Sequence, residues 1–303
     1  MSRWRAAGVI AIVALVGVLA AAVTQLPGIG AGALLHPQKK AVSAAPPGGC
    51  VDETIAGDAI ELRAWRCQAP GPPRGTVVYL HGVADARTSA LGAIARYTAR
   101  GFDVIAFDSR AHGQSSGDAC TYGFYEKRDV ARVLDRARPG PIVLVGVSLG
   151  AAVALQAAAD DRRVSAVLAA ETFADLESIA RDRAPWVIRA GSFGRALRSA
   201  ERQARFVVAD VSPVRAAARL AVPVFLVHGD ADHDTRPEHS QRVFEALHGP
   251  RRLVRVPGAG HGQSLTAAVW DDADAWLTRE IPGLGLATRS AAETGRVAAE
   301  TPR

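Results

Sequence analysis

From residue 76 to residue 280 the chain alternates short, nearly continuous apolar runs with longer segments of helical periodicity. The runs are TVVYL, DVIAF, IVLVGV, VSAVLAA, VPVFLV and RLVRV, and YEKRDVARVLDRAR and SLTAAVWDDADAWLTRE are the clearest periodic segments. A strand that is apolar on both faces must be covered on both faces, and helices that return the chain between strands do the covering. The texture predicts an α/β fold, a mostly parallel, doubly wound sheet with helices on each side. Of the 303 residues 49% are hydrophobic and 22% charged, so one large core of this kind is within reach. The stretch from about residue 172 to residue 215 is too long for a single connector and has no strand-like run before FVV; it reads as a helical insertion.

In a sheet of this kind ligands sit at the carboxyl ends of the strands, so the residues that follow each apolar run matter most. IVLVGV runs into Ser148 within Gly146-Val147-Ser148-Leu149-Gly150, and the alanine-rich stretch behind it is a strong helix former. A strand that turns at once into a helix needs positions without Cβ, which gives Gly146 and Gly150 a role, and the sharp turn projects the Ser148 hydroxyl outward. A hydroxyl is a weak nucleophile that needs a base, and the base needs an orienting acid. Asp230, Asp232 and Asp234 follow a strand in VPVFLVHGDADHDT, and His261 lies in the glycine-rich loop of RLVRVPGAGHG. The amide of Leu149, next to the nucleophile, is one expected oxyanion donor.

From about residue 75 to residue 280 the chain resembles the α/β-hydrolases. YLHG matches their strand-end oxyanion loop, FDSRAHGQSSG their D-x-R-x-H-G-x-S-x-G loop, GVSLG the nucleophile elbow, HGDAD the acid loop and GAGHG the histidine loop. The resemblance implies a serine hydrolase that cleaves a carboxylic ester, thioester or amide through an acyl-enzyme, with Ser148 as nucleophile and His261 as base. It makes Asp232 the acid, because His228 to Asp232 fits H-G-x-x-D; the pattern usually continues to a proline, and here Arg236 takes that place with Pro237 one later, so Asp234 stays the second candidate. It adds the amide of Val83 as the other oxyanion donor, assigns His81 and His112 to loop ordering, and requires no metal or organic cofactor. Ser115 and Ser116 sit between glycines and read as turn residues. The implied partner is a small-molecule or lipid acyl substrate. Two other classes compete: a metal-dependent hydrolase using the ligand-rich HGDADHD loop with His239 or His261, and a non-catalytic binding module on the same fold.

The two ends of the chain carry separate expectations. Ala6 to Val23 is uncharged and apolar, Arg3 and Arg5 precede it, and no Lys or Arg follows until Lys39. That pattern predicts a membrane-spanning anchor with the N-terminus cytoplasmic and the catalytic domain outside, or alternatively a cleaved signal peptide, with Ala20 and Ala22 near the cleavage site. Residues 1–35 are read as this anchor or signal segment, 36–49 as a linker, 50–281 as the hydrolase domain and 282–303 as a disordered tail. The whole stretch from Thr24 to about Gly49 lacks periodicity and reads as a spacer. CVDETI and AIELRAW, joined by AGD, form an expected antiparallel hairpin. In that register Cys50 lies roughly opposite Trp65, so a slip or bulge is needed to bring it to Cys67. The net charge is +6, but the arginines are scattered among acids without a basic block, which excludes a dedicated nucleic-acid binder. In FGRALRSAERQARF, Arg195, Arg198, Arg202 and Arg205 share one helical face and Phe193, Leu197, Ala200 and Ala204 another, a pattern for a lid helix that could meet anionic lipid headgroups.

Overall fold

The computed structural model describes residues 24–57, 59–186 and 191–284. A single eight-stranded sheet organises them: β1 Cys50–Ala56, β2 Glu61–Cys67, β3 Thr76–Leu80, β4 Asp103–Phe107, β5 Ile142–Val147, β6 Val164–Ala170, β7 Val224–Gly229 and β8 Arg251–Val256. The spatial order is β1-β2-β4-β3-β5-β6-β7-β8. β2 runs antiparallel to both its neighbours, β1 and β4, and β3 to β8 are all parallel. The apolar runs form the strands expected of them, and β3, β4 and β7 are buried throughout.

The sheet separates the hydrophobic core into two layers, each covered by helices, as double winding requires. With α1 over residues 24–35, the others are α2 Leu91–Ala99, α3 Glu126–Leu134, α4 Leu149–Asp160, α5 Leu176–Arg183, α6 Phe193–Ala204, α7 Pro213–Ala217, α8 Glu238–Ala246 and α9 Ala267–Glu280. On one face Ile94 and Tyr97 of α2 and Trp276 and Leu277 of α9 pack with Trp65, Val145 and Phe225. On the other, α4 lies centrally and contributes Ala151 to Leu155, with Val130 of α3 and Val243 of α8 beside it. An alanine-rich helix suits that position, because small side chains let it approach the sheet closely.

Several expectations need correction. β1 runs on to Ala56 and β2 begins only at Glu61, which shifts the register by two from the expected one: Cys50 faces Cys67 directly, and the two form a disulfide. The FVV run is not a strand; Val208–Asp210 is a single 3-10 turn. The stretch read as a spacer is ordered against the body. Residues 24–35 are helical, Ala31 and Leu35 are fully buried, and a Cβ on Gly30 would come within 3.1 Å of Ala196 on α6. Small residues there serve close helix packing. Beyond it, Lys40 pairs with Asp85 at 2.7 Å and the Gln114 side-chain amide donates to the Val42 carbonyl. No helix among the described residues is long and apolar enough to cross a membrane; Ala6 to Val23 and the tail beyond residue 284 lie outside them.

The insertion is helical, as expected, and contains α5, α6 and α7. On α6 the residues Phe193, Ala196 and Ala200 are buried, while Arg195, Arg198, Arg202 and Arg205 are exposed. The apolar face, with Leu197 and Ala204 beside Ala200, is packed against the body. The helix ends at Arg205, which adopts the left-handed conformation and carries the last of the four cations.

Candidate active site

Ser148 sits where β5 breaks into α4, with φ 52° and ψ −112°, a strained backbone for a residue with a side chain. The two glycines make the turn possible. A Cβ on Gly150 would run into the carbonyl of Leu80 on β3, and one on Gly146 into the backbone of Gly150. The surrounding packing holds the strain and leaves Ser148 on the wall of a cavity of about 610 Å³. Gly82, Val83, Asp85, His261 and, from α5, Asp182 and Arg183 are among its walls.

Three strand ends converge on this hydroxyl. His261 Nε2 lies 3.0 Å from Ser148 Oγ, and its Nδ1 lies 2.7 Å from Asp232 Oδ2. The Asp232 carboxylate is 2% exposed, and its other oxygen accepts the amides of Asp234 at 3.0 Å and Thr235 at 2.9 Å. His228 Nε2 adds a contact at 3.2 Å. Burial alone would raise the Asp232 pKa, but hydrogen bonds from His228, His261 and the Thr235 amide outweigh it and hold the group well below the usual carboxylate range. For His261 burial acts to lower the pKa, and the bond to Asp232, its charge and that of Glu171 reverse the sign, so the imidazole titrates above its ordinary value. A neutral His261 then donates from Nδ1 to Asp232 and accepts from the Ser148 hydroxyl at Nε2, the polarity that proton abstraction needs.

Other expected residues fall into place around this line. Leu149 is the first residue of α4, where an amide has no intrahelical acceptor. Val83 lies in the turn after β3, and Gly82 next to it packs against Ser148. Among the described residues no donation from either amide to the protein is found; Val83 lines the cavity that holds Ser148, and Leu149 follows Ser148 directly in the chain. His81 is fully buried. Its Nδ1 meets the Gly82 carbonyl at 2.7 Å and its Nε2 accepts the Ser109 amide at 3.0 Å, so it ties the β3 and β4 loops together. Burial, followed by the neighbouring His112, lowers its pKa to about 4, which keeps that tie neutral. Ser115 and Ser116 hold the loop through the amides of Arg63 and Glu61, and Asp108 anchors it by pairing with the buried Arg87.

The ligand-rich HGDADHD loop does not converge. His228 Nδ1 points to Ser240, Asp230 caps the Gly258 amide, His239 binds Asp182 and the Ala174 amide, and His233 and Asp234 are exposed. Glu171, Asp232 and His261 do bring one ligand atom each within 4.8 Å. Yet both carboxylates already receive N–H donors on both oxygens, the environment of a hydrogen-bonded anion and not of a cation cradle. Glu171 is the residue that motif reading missed. It stands one position after VSAVLAA, a place where strand-end residues carry chemistry, between the apolar run that ends at Ala170 and the insertion that begins at Thr172.

The fold is shared with known proteins. Residues 75–190 match the sequence model of the family described as alpha/beta hydrolase fold. The chain has the α/β-hydrolase fold. It is similar to an esterase of Pyrococcus furiosus, with a TM-score of 0.62 and 22% identity over 82% of this chain and 97% of that one. A second similar structure is an acetyl xylan esterase from Paenibacillus, with a TM-score of 0.61 and 18% identity over 85% and 95% of the two chains. By sequence the chain is 28% identical to the uncharacterized protein YfhR of Escherichia coli over 219 residues, 69% of this chain and 72% of the relative. It is equally identical to the uncharacterized protein YqkD of Bacillus subtilis over 65% and 68% of the two chains.

Proposed function

We propose that the chain is a serine hydrolase that cleaves a carboxylic ester, thioester or amide through an acyl-enzyme. The observation that carries the reading is the continuous line from Ser148 Oγ through the His261 ring to Asp232, at 3.0 and 2.7 Å, on a strained elbow in a cavity wall. In the first half, Ser148 Oγ attacks the acyl carbon as its proton passes to His261 Nε2. The Nδ1–H stays donated to Asp232, which fixes the tautomer and balances the imidazolium. The amides of Val83 and Leu149 receive the developing oxyanion, and His261 returns the proton to the leaving group. In the second half His261 activates water against the acyl-enzyme by the same path. The scheme uses no metal or organic cofactor. Esterases of the same fold, in Pyrococcus furiosus and Paenibacillus, support an ester as the substrate class.

We infer further that the catalytic domain lies outside the cytoplasm, with the membrane as a partner through Ala6 to Val23, or is secreted after cleavage, a reading carried by the charge pattern around that apolar stretch. The Cys50–Cys67 disulfide supports an oxidising compartment. A fluorophosphonate tests the reading: it should label the parent protein at Ser148, and Ser148→Ala and His261→Ala should each remove turnover of an activated ester without unfolding the chain. Near-parental hydrolysis by Ser148→Ala would refute it.

A further inference from the structure

One buried acid beside the serine, histidine and aspartate is left unexplained by that scheme. Glu171 directly follows β6 and is 1% exposed. Its φ of 57° lies in the left-handed region, a strained conformation for glutamate, and its amide is tied to the Val227 carbonyl at 2.8 Å. The side chain reaches across to the histidine loop. Oε2 accepts the Gly262 amide at 2.5 Å and Oε1 the Ser264 amide at 3.1 Å, so both donors follow His261 within three residues. Oε2 also lies 3.6 Å from His261 Nδ1, the nitrogen that Asp232 holds. Two carboxylates therefore flank one ring nitrogen from the ends of adjacent strands.

An acceptor needed only to hold a loop could be a neutral amide. A buried charge within 4 Å of an imidazole does more, because it favours the protonated ring over the neutral one. We propose that Glu171 is a positioning residue of the proposed hydrolase, a second acid that clamps the loop carrying His261 and shares with Asp232 the imidazolium formed when Ser148 loses its proton. The inference rests on the reading of His261 as the general base. Glu171 takes no proton in any step: the proton moves from Ser148 Oγ to His261 Nε2 and on to the leaving group, while both Glu171 oxygens keep their amide donors.

Other charges also face the ring. His228 acts through Asp232, and Arg183 on α5 opposes protonation from the lid side. Asp85, Asp182, His233 and Asp234 border the same cavity. All of these are shared by the parent and a Glu171 variant, so a comparison between the two isolates Glu171.

The test uses the full chain with Glu171→Gln, which keeps the shape and removes the charge. Two quantities are followed: the acidic limb of kcat/KM on an activated ester, and the NMR titration of the His261 ring in a Ser148→Ala background. Both should move to lower pH by about one unit, the low end of shifts from a neighbouring charge, with kcat falling more than KM rises. A titration and a limb that both stay at the parental pH would overturn the proposal. Should Glu171→Gln fail to fold, Asp232→Asn gives the second measurement with Glu171 intact. If Glu171 holds the ring, His261 in Asp232→Asn still titrates at or above the ordinary histidine value of about 6.5; a value pulled below it by burial would overturn the role. Because the NMR titration needs no turnover, a chain that hydrolyses nothing yet shows the shift refutes the hydrolase reading alone, and an active chain without the shift refutes only the role of Glu171.

Discussion

Reduction of the Cys50–Cys67 bond is a perturbation whose magnitude follows from chain topology. The cysteines are separated by 17 positions and close the β1–β2 hairpin at its open end, where they face each other in register. In the chain-entropy picture a loop of this size restricts the unfolded chain by about 3 kcal/mol. Residual hairpin structure in the denatured state makes that figure an upper bound. For a domain of this size 1 kcal/mol corresponds to about 2–4 °C, so reduction should lower the melting temperature by roughly 6–12 °C at most. Reducing the parent is cleaner than substituting the cysteines, because Cys67 is buried and an alanine there would add a cavity cost of its own. The assay is thermal unfolding with and without a non-thiol reductant, beside mass mapping of unreduced peptides from protein made in an oxidising compartment. A melting temperature indifferent to reductant would refute the energetic reasoning, and two freely alkylated thiols would remove the disulfide and with it the support for an exported domain.

Two further outcomes are expected. Asp232→Asn should lower kcat/KM by roughly 10⁴, because an amide cannot hold the needed tautomer; Asp234→Asn should do little, since its side chain is exposed and only its amide reaches Asp232. Kinetics on an activated ester rank the two, and the reverse order would move the acid by two positions. Exchange of Arg195, Arg198, Arg202 and Arg205 for glutamine should change stability by no more than about 0.5 kcal/mol per substitution, as the side chains are exposed. The same exchange should weaken co-sedimentation with anionic vesicles, each cation near such a surface contributing on the order of 1 kcal/mol. Unchanged vesicle binding at low salt would show that α6 is a lid helix and nothing more.

The parts legible in the sequence are those fixed by short-range physics. The continuous apolar runs could only be doubly covered strands, and the steric need for Gly146 and Gly150 followed from turning a strand into a helix within one residue. Counting from His228 along H-G-x-x-D singles out Asp232, and that is the aspartate whose carboxylate meets His261. The parts that escaped depend on what a segment meets. Small residues from Thr24 onward read equally well as a spacer or as a close-packed helix, and only the presence of Ala196 opposite Gly30 decides between them. The hairpin register hinged on whether Ala59 and Ile60 belonged to β2 or to the connection before it, a choice that moves every partner by two.

Glu171 belongs to neither group, and the sheet explains why it should have been sought. Neighbouring parallel strands lie about 4.8 Å apart, roughly the reach of a carboxylate side chain. β6 and β7 are such neighbours, with Ala170 paired to Val227. Acids set just beyond the ends of these two strands can thus approach the same point from two sides, and the loop after β8 delivers His261 to that point, 113 residues from the serine it meets. An acid at the end of β6 is costly to bury unless donors await it, and here the Gly262 and Ser264 amides supply them. The histidine loop and Glu171 stabilise each other: the loop solvates the charge, and the charge fixes the loop in the geometry that places Nε2 against Ser148.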